Sequence, residues 1–239
     1  MLEGRKAMVR WLANRLTVIS AVWLAASLAF SASVIWAFIG LADEVVEGES
    51  RAFDTAVLLW IHSTFPGWLE GPMRIVTALG YYWVVLPLLA VIVTLFYRKG
   101  WRLSGVLLLV STAGSIVLTT VLKSVFARAR PELFDSSYHA SFYSFPSGHA
   151  TVAVGFYGML AFILAYRLRG TARRAVAITG ILVVLLIGFS RLYLGVHYPT
   201  DVLAGYLSAL LWLVCVGAVY TIWLSIRGLR AAESSRDDE

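Results

Sequence analysis

Three clusters of charged and hydroxyl-bearing residues stand out in an otherwise apolar sequence. Each lies beside the end of a long apolar run. The clusters are Lys123-Ser-Val-Phe-Ala-Arg128-Ala-Arg130-Pro131, Pro146-Ser147-Gly148-His149 and Ser190-Arg191-Leu-Tyr-Leu-Gly-Val-His197-Tyr-Pro-Thr-Asp201. Cations, histidines and a carboxylate in this combination are suited to binding an anion and to acid–base or nucleophilic chemistry on it.

The second cluster is suited to binding phosphate at the start of a helix. Ser147 is a favoured N-cap residue, and Gly148 allows the backbone to approach a ligand closely. A helix N-terminus presents unpaired N–H groups and a positive dipole, which attract phosphate. His149 would project from the first turn beside such an anion. Taken alone, the tetrapeptide would favour an ordinary helix cap with a solvated histidine.

The third cluster places a carboxylate four residues after a histidine. Pro199 disfavours helix at Tyr198 and suits a first helical turn, so we expect His197 in a turn and Asp201 at the start of the next helix. A carboxylate bound to one imidazole nitrogen fixes the tautomer and leaves the other nitrogen free to attack. Taken alone, this cluster would favour an aspartate cap beside a structural histidine.

Positive charge for an anion comes from Lys123, Arg130 and Arg191. Arginine binds phosphate oxygens through two nitrogens, whereas lysine acts as a point charge. Phosphoryl transfer needs mainly positioning and charge neutralisation from a protein. Arg128 is interpreted as a charge at the membrane interface in preference to a phosphate-binding residue. His139 has no assigned role.

No metal and no other cofactor is expected at these clusters. Nearby carboxylates are limited to Glu132, Asp135 and Asp201, which are too few for a magnesium site. His149 and His197 lack a third ligand at a spacing that would suit zinc.

The three clusters resemble the type 2 phosphatidic acid phosphatases, a family that shares its core with the vanadium haloperoxidases. The family signature is K-x6-RP, then PSGH, then SR-x5-H-x3-D. Every signature position is matched in order and spacing between residues 123 and 201. Haloperoxidases are the soluble branch, so an apolar chain points to the membrane phosphatases.

This resemblance implies a role for each matching residue. His197 would be the nucleophile that forms a phosphohistidine, Asp201 its orienting partner, and His149 the general acid that protonates the leaving oxygen. Five further signature residues would bind phosphate, and we call them the phosphate cradle: Lys123, Arg130, Ser147, Gly148 and Arg191.

Apolar runs predict how the chain positions these clusters. Hydrophobic residues make up 59% of the sequence and charged residues only 14%, against about 25% charged in average globular proteins. Runs with few charges predict six transmembrane helices, at about 16–42, 75–97, 103–122, 148–166, 175–191 and 200–226. The alternative is four spans with two buried hairpins. The first run is too long for a signal peptide, so we expect it to be retained.

The predicted fold class is therefore an all-α polytopic membrane protein with one domain over 1–239. The charged segment at about 230–239 is expected to be disordered. A short amphipathic helix is predicted in the first outer loop, with Phe53, Val57, Trp60 and Ile61 on its apolar face and Asp54 elsewhere. It would lie on the membrane surface or on the protein's own outer face. The single cysteine, Cys215, excludes an intrachain disulfide.

Basic residues predict the orientation. With six spans, fourteen of the 20 Lys and Arg residues fall on the side that holds both termini, which should be cytoplasmic. The three clusters would then face the periplasm or exterior.

The predicted function is metal-independent hydrolysis of a membrane lipid phosphate or diphosphate through a phosphohistidine at the outer face of the cell membrane. Family members act on undecaprenyl diphosphate, phosphatidylglycerol phosphate or phosphatidic acid, and an outward site favours the isoprenyl diphosphate. The expected partners are a lipid substrate and the membrane, with no nucleic acid. One alternative is a lipid phosphotransferase that uses the same residues. A non-enzymatic lipid transporter is a further alternative, but that class usually has polar or broken helices at mid-membrane.

Overall fold

A computed structural model of the chain describes residues 2–133, 138 and 142–237, with side chains described between 25 and 219. Within these ranges the regular structure is helical, and it includes a 3₁₀ turn at Gly67–Leu69 and a π-helical segment at Val154–Gly158. The α-helices are α1 (Leu2–Glu47), α2 (Arg51–Thr64), α3 (Glu70–Ala78), α4 (Tyr82–Arg98), α5 (Arg102–Phe126), α6 (Gly148–Ala153), α7 (Met159–Arg167), α8 (Gly170–Tyr193) and α9 (Pro199–Asp237).

The helices are long and apolar enough for five or six membrane crossings among the described residues. Five crossings are single stretches: Ala25–Glu47, Arg102–Phe126, Gly148–Arg167, Gly170–Tyr193 and Pro199–Val219. Helices α3 and α4 supply a sixth if the bent pair crosses as one unit. The prediction of an all-α polytopic membrane protein is confirmed.

The second predicted span, 75–97, is not one straight helix. α3 ends at Ala78, α4 begins at Tyr82, and the two stretches are bent by 46°. The N–H groups of Leu79 and Gly80 donate to carbonyls three residues earlier, which tightens the chain as α3 ends. An uncharged run indicates that a segment is apolar but not that it bends. Composition therefore could not predict the break between α3 and α4.

The fourth predicted span, 148–166, runs through α6, the π-helical segment and α7. The π-helical segment packs tightly against α5, where the Ser111 hydroxyl donates to the Gly155 carbonyl at 2.5 Å. A β-carbon on Gly155 would lie 2.1 Å from Oγ of Ser115. Glycine therefore permits the close approach of these two helices, and α5 and α6 each carry one of the clusters.

The chain ends differ from the prediction. α1 begins at Leu2 rather than near residue 16. The described backbone of α9 continues to Asp237, through most of the segment 230–239 that was expected to be disordered. Residues 238 and 239 lie outside the described residues.

The predicted amphipathic helix is present as α2, and two of its predicted apolar residues are exposed, as expected for a helix that lies on the membrane surface. Its buried residues are Asp54, Leu58 and Ile61, whereas Phe53 and Trp60 are exposed. Assigning Asp54 to the polar surface was therefore wrong. The reason is an ion pair with a distant segment, which helical periodicity does not report.

Packing among four helical segments brings the clusters to one end of the bundle. α5 and α8 each contact α6 and α9, and α6 also contacts α9, with buried side chains such as Leu108 and Phe156 in the bundle. α5 carries Lys123 in its last turn and α8 carries Arg191 in its last turn. α6 begins at the second cluster and α9 begins within the third, so the clusters meet where two helices end and two begin.

Candidate active site

Lys123 and Arg130 reach the site from the chain that leaves α5. α5 is terminated by Ala127 in the left-handed conformation, with φ of 47°. Lys123 Nζ donates to the carbonyls of Tyr143 and Ser144, in the segment that precedes α6. A single lysine therefore links the end of α5 to the segment just before the second cluster.

Arg130 is surrounded by carbonyl groups and lies against His197. Its Nε donates to the Phe142 carbonyl at 2.8 Å, and Nη1 donates to the Val196 carbonyl at 2.7 Å. Nη1 is also 3.2 Å from Nε2 of His197. Burial and the neighbouring Arg191 lower the pKa of Arg130 to about 10, which leaves the guanidinium charged at neutral pH.

These contacts determine the tautomer of His197. A guanidinium can only donate hydrogen bonds, so Nε2 must be the acceptor from Arg130. Nδ1 then carries the proton and donates to Asp201 Oδ2 at 3.2 Å. The lone pair of Nε2 consequently faces the cations, which is the orientation a nucleophilic nitrogen needs.

His197 is buried and electrostatically held in its neutral form. Burial lowers its pKa well below the ordinary value, and the charges of Arg191, Arg130 and Lys123 lower it further. A neutral imidazole keeps the Nε2 lone pair available at neutral pH. The same cations attract an anion to that nitrogen.

The second cluster approaches the third through the backbone. The Ser147 N–H donates to the Asp201 carbonyl at 2.9 Å. Ser147 occupies the N-cap position of α6, but its hydroxyl makes no capping hydrogen bond. This oxygen is buried and lacks a partner among the described residues, so it is available to a ligand.

His149 is half-buried, and its Nε2 is buried without a hydrogen-bond partner in the described part of the chain. The ring packs edge-on against Tyr81, with ring centroids 4.6 Å apart. An unsatisfied imidazole nitrogen beside a cationic cluster is suited to exchanging a proton with a bound anion.

Arg191 completes the cluster from the last turn of α8. Its side chain is 1% exposed, and Nη1 donates to Thr77 Oγ1 at 2.7 Å and to the Tyr138 hydroxyl at 3.2 Å. Its Nε, like the Ser147 hydroxyl and His149 Nε2, is buried with no partner among the described residues. Three unsatisfied polar atoms of signature residues thus lie around one cationic region.

The structure brings the eight predicted site residues together. Arg130 joins the first cluster to the third, Ser147 joins the second to the third, and a β-carbon on Gly148 would lie 3.8 Å from Cε of Lys123. His139 and Asp135 lie outside the described residues. No group of three His, Cys, Asp or Glu residues suited to a metal ion occurs in the described part of the chain.

Sequence reasoning missed two charged residues next to this site. Arg128 forms ion pairs with Asp201 at 2.6 Å and with Asp54 at 2.7 Å. Arg128 lies between two signature positions, but a lone arginine gives no sign of its partner. Asp54 is remote in sequence, and nothing in its own helix indicates the contact.

Comparison with known proteins identifies the family. Residues 104–224, which include all three clusters, match the PAP2 superfamily. The chain is 38% identical over 148 residues to phosphatidylglycerophosphatase B of Bacillus subtilis, an alignment that covers 60% of this chain and 71% of that protein. It is 29% identical over 180 residues to an undecaprenyl-diphosphatase of Sulfolobus acidocaldarius, which covers 73% of this chain and 82% of that protein.

A solved structure shows the same fold. The crystal structure of the transmembrane PAP2 type phosphatidylglycerolphosphate phosphatase from Bacillus subtilis aligns with a TM-score of 0.72 at 33% identity, over 80% of this chain and 96% of that chain. The family resemblance inferred from the three motifs is therefore confirmed.

Proposed function

This chain belongs to the PAP2 superfamily, and we propose that it hydrolyses a membrane lipid phosphate or diphosphate through a phosphohistidine on His197, without a metal ion. One observation carries this proposal. Nε2 of His197 faces three cations while Nδ1–H is bound to a buried carboxylate. This arrangement presents a neutral nucleophile to the phosphorus of an anionic phosphate. The Asp201 carboxylate is already in place to stabilise the positive charge that the ring acquires.

In the first step, His197 Nε2 attacks phosphorus and the bond from phosphorus to the leaving oxygen breaks. His149 donates its proton to that oxygen, which leaves as an alcohol or as a lipid monophosphate. The buried, unpartnered Nε2 of His149 supports this role. Asp201 stabilises the His197 ring, which becomes cationic when the nitrogen–phosphorus bond forms.

In the second step, water attacks the phosphohistidine. His149 is now neutral and takes a proton from the water, while the nitrogen–phosphorus bond breaks and its electron pair returns to His197. Inorganic phosphate leaves, and both histidines regain their starting protonation states. The acid of the first step is thus the base of the second.

The phosphate cradle supplies the electrostatic part of catalysis. Lys123, Arg130 and Arg191 neutralise the oxygens of the transferring group, and arginine does so through fixed pairs of N–H groups. The Ser147 hydroxyl and the Arg191 Nε are buried and unpartnered among the described residues, so a phosphate oxygen can satisfy them. The three cations thus neutralise the phosphate charge that a metal ion would otherwise neutralise.

A lipid substrate fits the surroundings of the site. The clusters lie at the end of a bundle whose outer surface carries exposed apolar side chains, so a lipid tail can stay in the bilayer while the headgroup binds. The relatives are named for phosphatidylglycerophosphate and undecaprenyl diphosphate. The distribution of basic residues favours a site on the outer face.

The test is phosphate release by the purified protein in detergent micelles from phosphatidylglycerophosphate, undecaprenyl diphosphate and phosphatidic acid. We expect release from at least one lipid, and a radiolabelled phosphoenzyme that is stable in alkali and absent from His197→Ala. Absence of release from all three lipids would overturn the proposal. Transfer of label to an added alcohol in preference to water would identify a phosphotransferase instead.

A further inference from the structure

A second ion-pair network lies on the oxygen of Asp201 that His197 does not use. Arg128 Nη1 donates to Asp201 Oδ1 at 2.6 Å, whereas His197 Nδ1 is bound to Oδ2. The other terminal nitrogen of Arg128 donates to Asp54 Oδ2 at 2.7 Å. One guanidinium therefore bridges the carboxylate that contacts His197 and a second carboxylate on α2.

Asp54 is fixed by α9 as well as by Arg128. The Thr200 N–H donates to Asp54 Oδ1 at 3.1 Å, and the Thr200 hydroxyl donates to Oδ2 at 2.7 Å. Arg128 Nη1 in turn donates to that hydroxyl at 2.8 Å. Both oxygens of Asp54 are therefore occupied, and the carboxylate has one defined orientation.

The network is buried and carries a net charge. The side chains of Asp54 and Asp201 are 0% exposed, and that of Arg128 is 13% exposed. Two carboxylates and one guanidinium sum to one negative charge. Burying such a group is costly, and apolar residues of similar volume often stabilise a fold as well or better. Stability alone is therefore a weak reason for this network.

The location of Arg128 separates it from the phosphate cradle. Both of its terminal nitrogens are bound to carboxylates, and the guanidinium lies 4.2 Å from the centre of the Tyr198 ring. Arg130, by contrast, contacts the attacking nitrogen of His197. Arg128 thus acts on the carboxylate behind the histidine and not on the phosphate.

Two consequences follow for His197. Arg128 holds Oδ1 of Asp201 while the Tyr198 N–H donates to Oδ2 at 2.9 Å, so Oδ2 stays directed at Nδ1 of His197. Asp54 offsets the charge of Arg128, so the network as a whole remains negative beside His197. This negative charge is what stabilises the ring when it becomes cationic.

We propose that Asp54 and Arg128 are positioning residues for the nucleophile: Arg128 fixes the orientation of Asp201, and Asp54 fixes Arg128 and preserves the negative charge behind His197. The inference rests on the proposed function, because it concerns the rate at which the phosphohistidine forms. It also makes α2 a part of the catalytic framework, although α2 lies far from the three motifs in sequence.

The first test compares Arg128→Gln, Arg128→Lys and Asp54→Asn with the wild-type protein by single-turnover formation of radiolabelled phosphoenzyme. We expect Arg128→Gln to slow this step about 10²-fold and Asp54→Asn about tenfold, with less than about a threefold change in KM. Arg128→Lys keeps the charge and should recover part of the loss. Glu70→Gln is the matched control, because Glu70 forms an exposed ion pair with Arg74 at 2.7 Å.

The second test is a double-mutant cycle with Asp201→Asn. If Arg128 acts through Asp201, then Arg128→Gln in that background should slow phosphoenzyme formation by less than about twofold. Multiplicative losses, or wild-type rates in both Asp54→Asn and Arg128→Gln, would overturn the inference.

If Asp54 and Arg128 had only a structural role, Asp54→Asn and Arg128→Gln would lower the thermal midpoint and the amount of active protein. The rate per active site, with sites counted by vanadate titration, would then equal that of the wild type. That outcome would also overturn the inference. An inactive wild-type protein would overturn the proposed function instead, so the two failures are distinguishable.

Discussion

Gly80 and His149 lie so close together that a β-carbon on residue 80 would be 2.7 Å from Cδ2 of His149. Cδ2 is bonded to Nε2, the nitrogen that we propose protonates the leaving group. The same β-carbon would lie 3.0 Å from Cγ2 of Ile187 in α8. The break between α3 and α4 therefore helps to set the position of this histidine.

Gly80→Ala should displace His149 and slow turnover of a lipid phosphate about tenfold. The effect should be smaller with p-nitrophenyl phosphate, because nitrophenolate leaves without a proton. Gly71→Ala is the matched control, since its β-carbon would meet nothing within 4 Å. Equal losses with both substrates would contradict the assigned position of the acid.

The two histidines should differ in pre-steady-state kinetics. His149→Ala should still form the phosphoenzyme from p-nitrophenyl phosphate but hydrolyse it slowly, which gives a burst of nitrophenolate stoichiometric with enzyme. His197→Ala should give neither burst nor turnover, because no phosphoenzyme can form. Rapid-quench or stopped-flow measurement distinguishes the two. A burst in His197→Ala would mean that another residue is the nucleophile.

The acid limb of activity should lie at low pH. The pKa of His197 is lowered by burial and by Arg191, Arg130 and Lys123, so the ring stays neutral until the pH falls well below its ordinary value of about 6.5. Protonation removes the Nε2 lone pair, so on the acid side kcat/KM should begin to fall only at pH values well below 6.5. NMR of ring-labelled histidine, with the His197 signal identified by its loss in His197→Gln, measures the midpoint directly. A midpoint at or above 6.5 would refute the prediction.

Activity should persist in excess chelator, because the phosphate cradle neutralises the transferring group with cationic side chains. Vanadate should inhibit competitively, since it can adopt the five-coordinate geometry of the transition state in the same site. Phosphate release with and without EDTA, and across a vanadate series, checks both expectations. Loss of activity in EDTA that magnesium restores would exclude the proposed mechanism.

Sidedness can be measured by cysteine labelling on a Cys215→Ser background. Glu132 is exposed, lies just after Arg130 and should face the exterior, whereas Thr171, exposed in the first turn of α8, should face the cytoplasm. Glu132→Cys should react with an impermeant thiol reagent in spheroplasts, and Thr171→Cys only after lysis. The reverse pattern would place the site in the cytoplasm.

Sequence alone was sufficient for the membrane class, and it placed the eight predicted site residues in three short motifs that the fold brings together. Long uncharged runs predict spans because the bilayer interior excludes charge, and this physical constraint is local in sequence. The motifs were equally informative because each of them is short. Pro199 between His197 and Asp201 correctly predicted a turn followed by a helix start.

Tertiary structure decided what depends on contacts between remote segments. The bend at Gly80 follows from tight turns and from the approach of His149, and an apolar run contains no sign of either. The hydroxyl of Ser147 was expected to cap α6, yet it is left unpaired beside the cations. Local sequence indicates which conformations and hydrogen bonds a residue can adopt. The segments that pack against the residue determine which of them it does adopt.

Asp54 and Arg128 show this limit most directly. Helical periodicity placed Asp54 on a polar surface, and Arg128 gave no indication of its partner. A buried carboxylate is tolerated only where a cation and hydrogen-bond donors meet it, and Arg128 and Thr200 reach Asp54 from other parts of the chain. The sequence by itself predicted which residues form the site, whereas the folded chain determined which buried charges lie next to His197, because long-range pairing of buried charges leaves no local pattern.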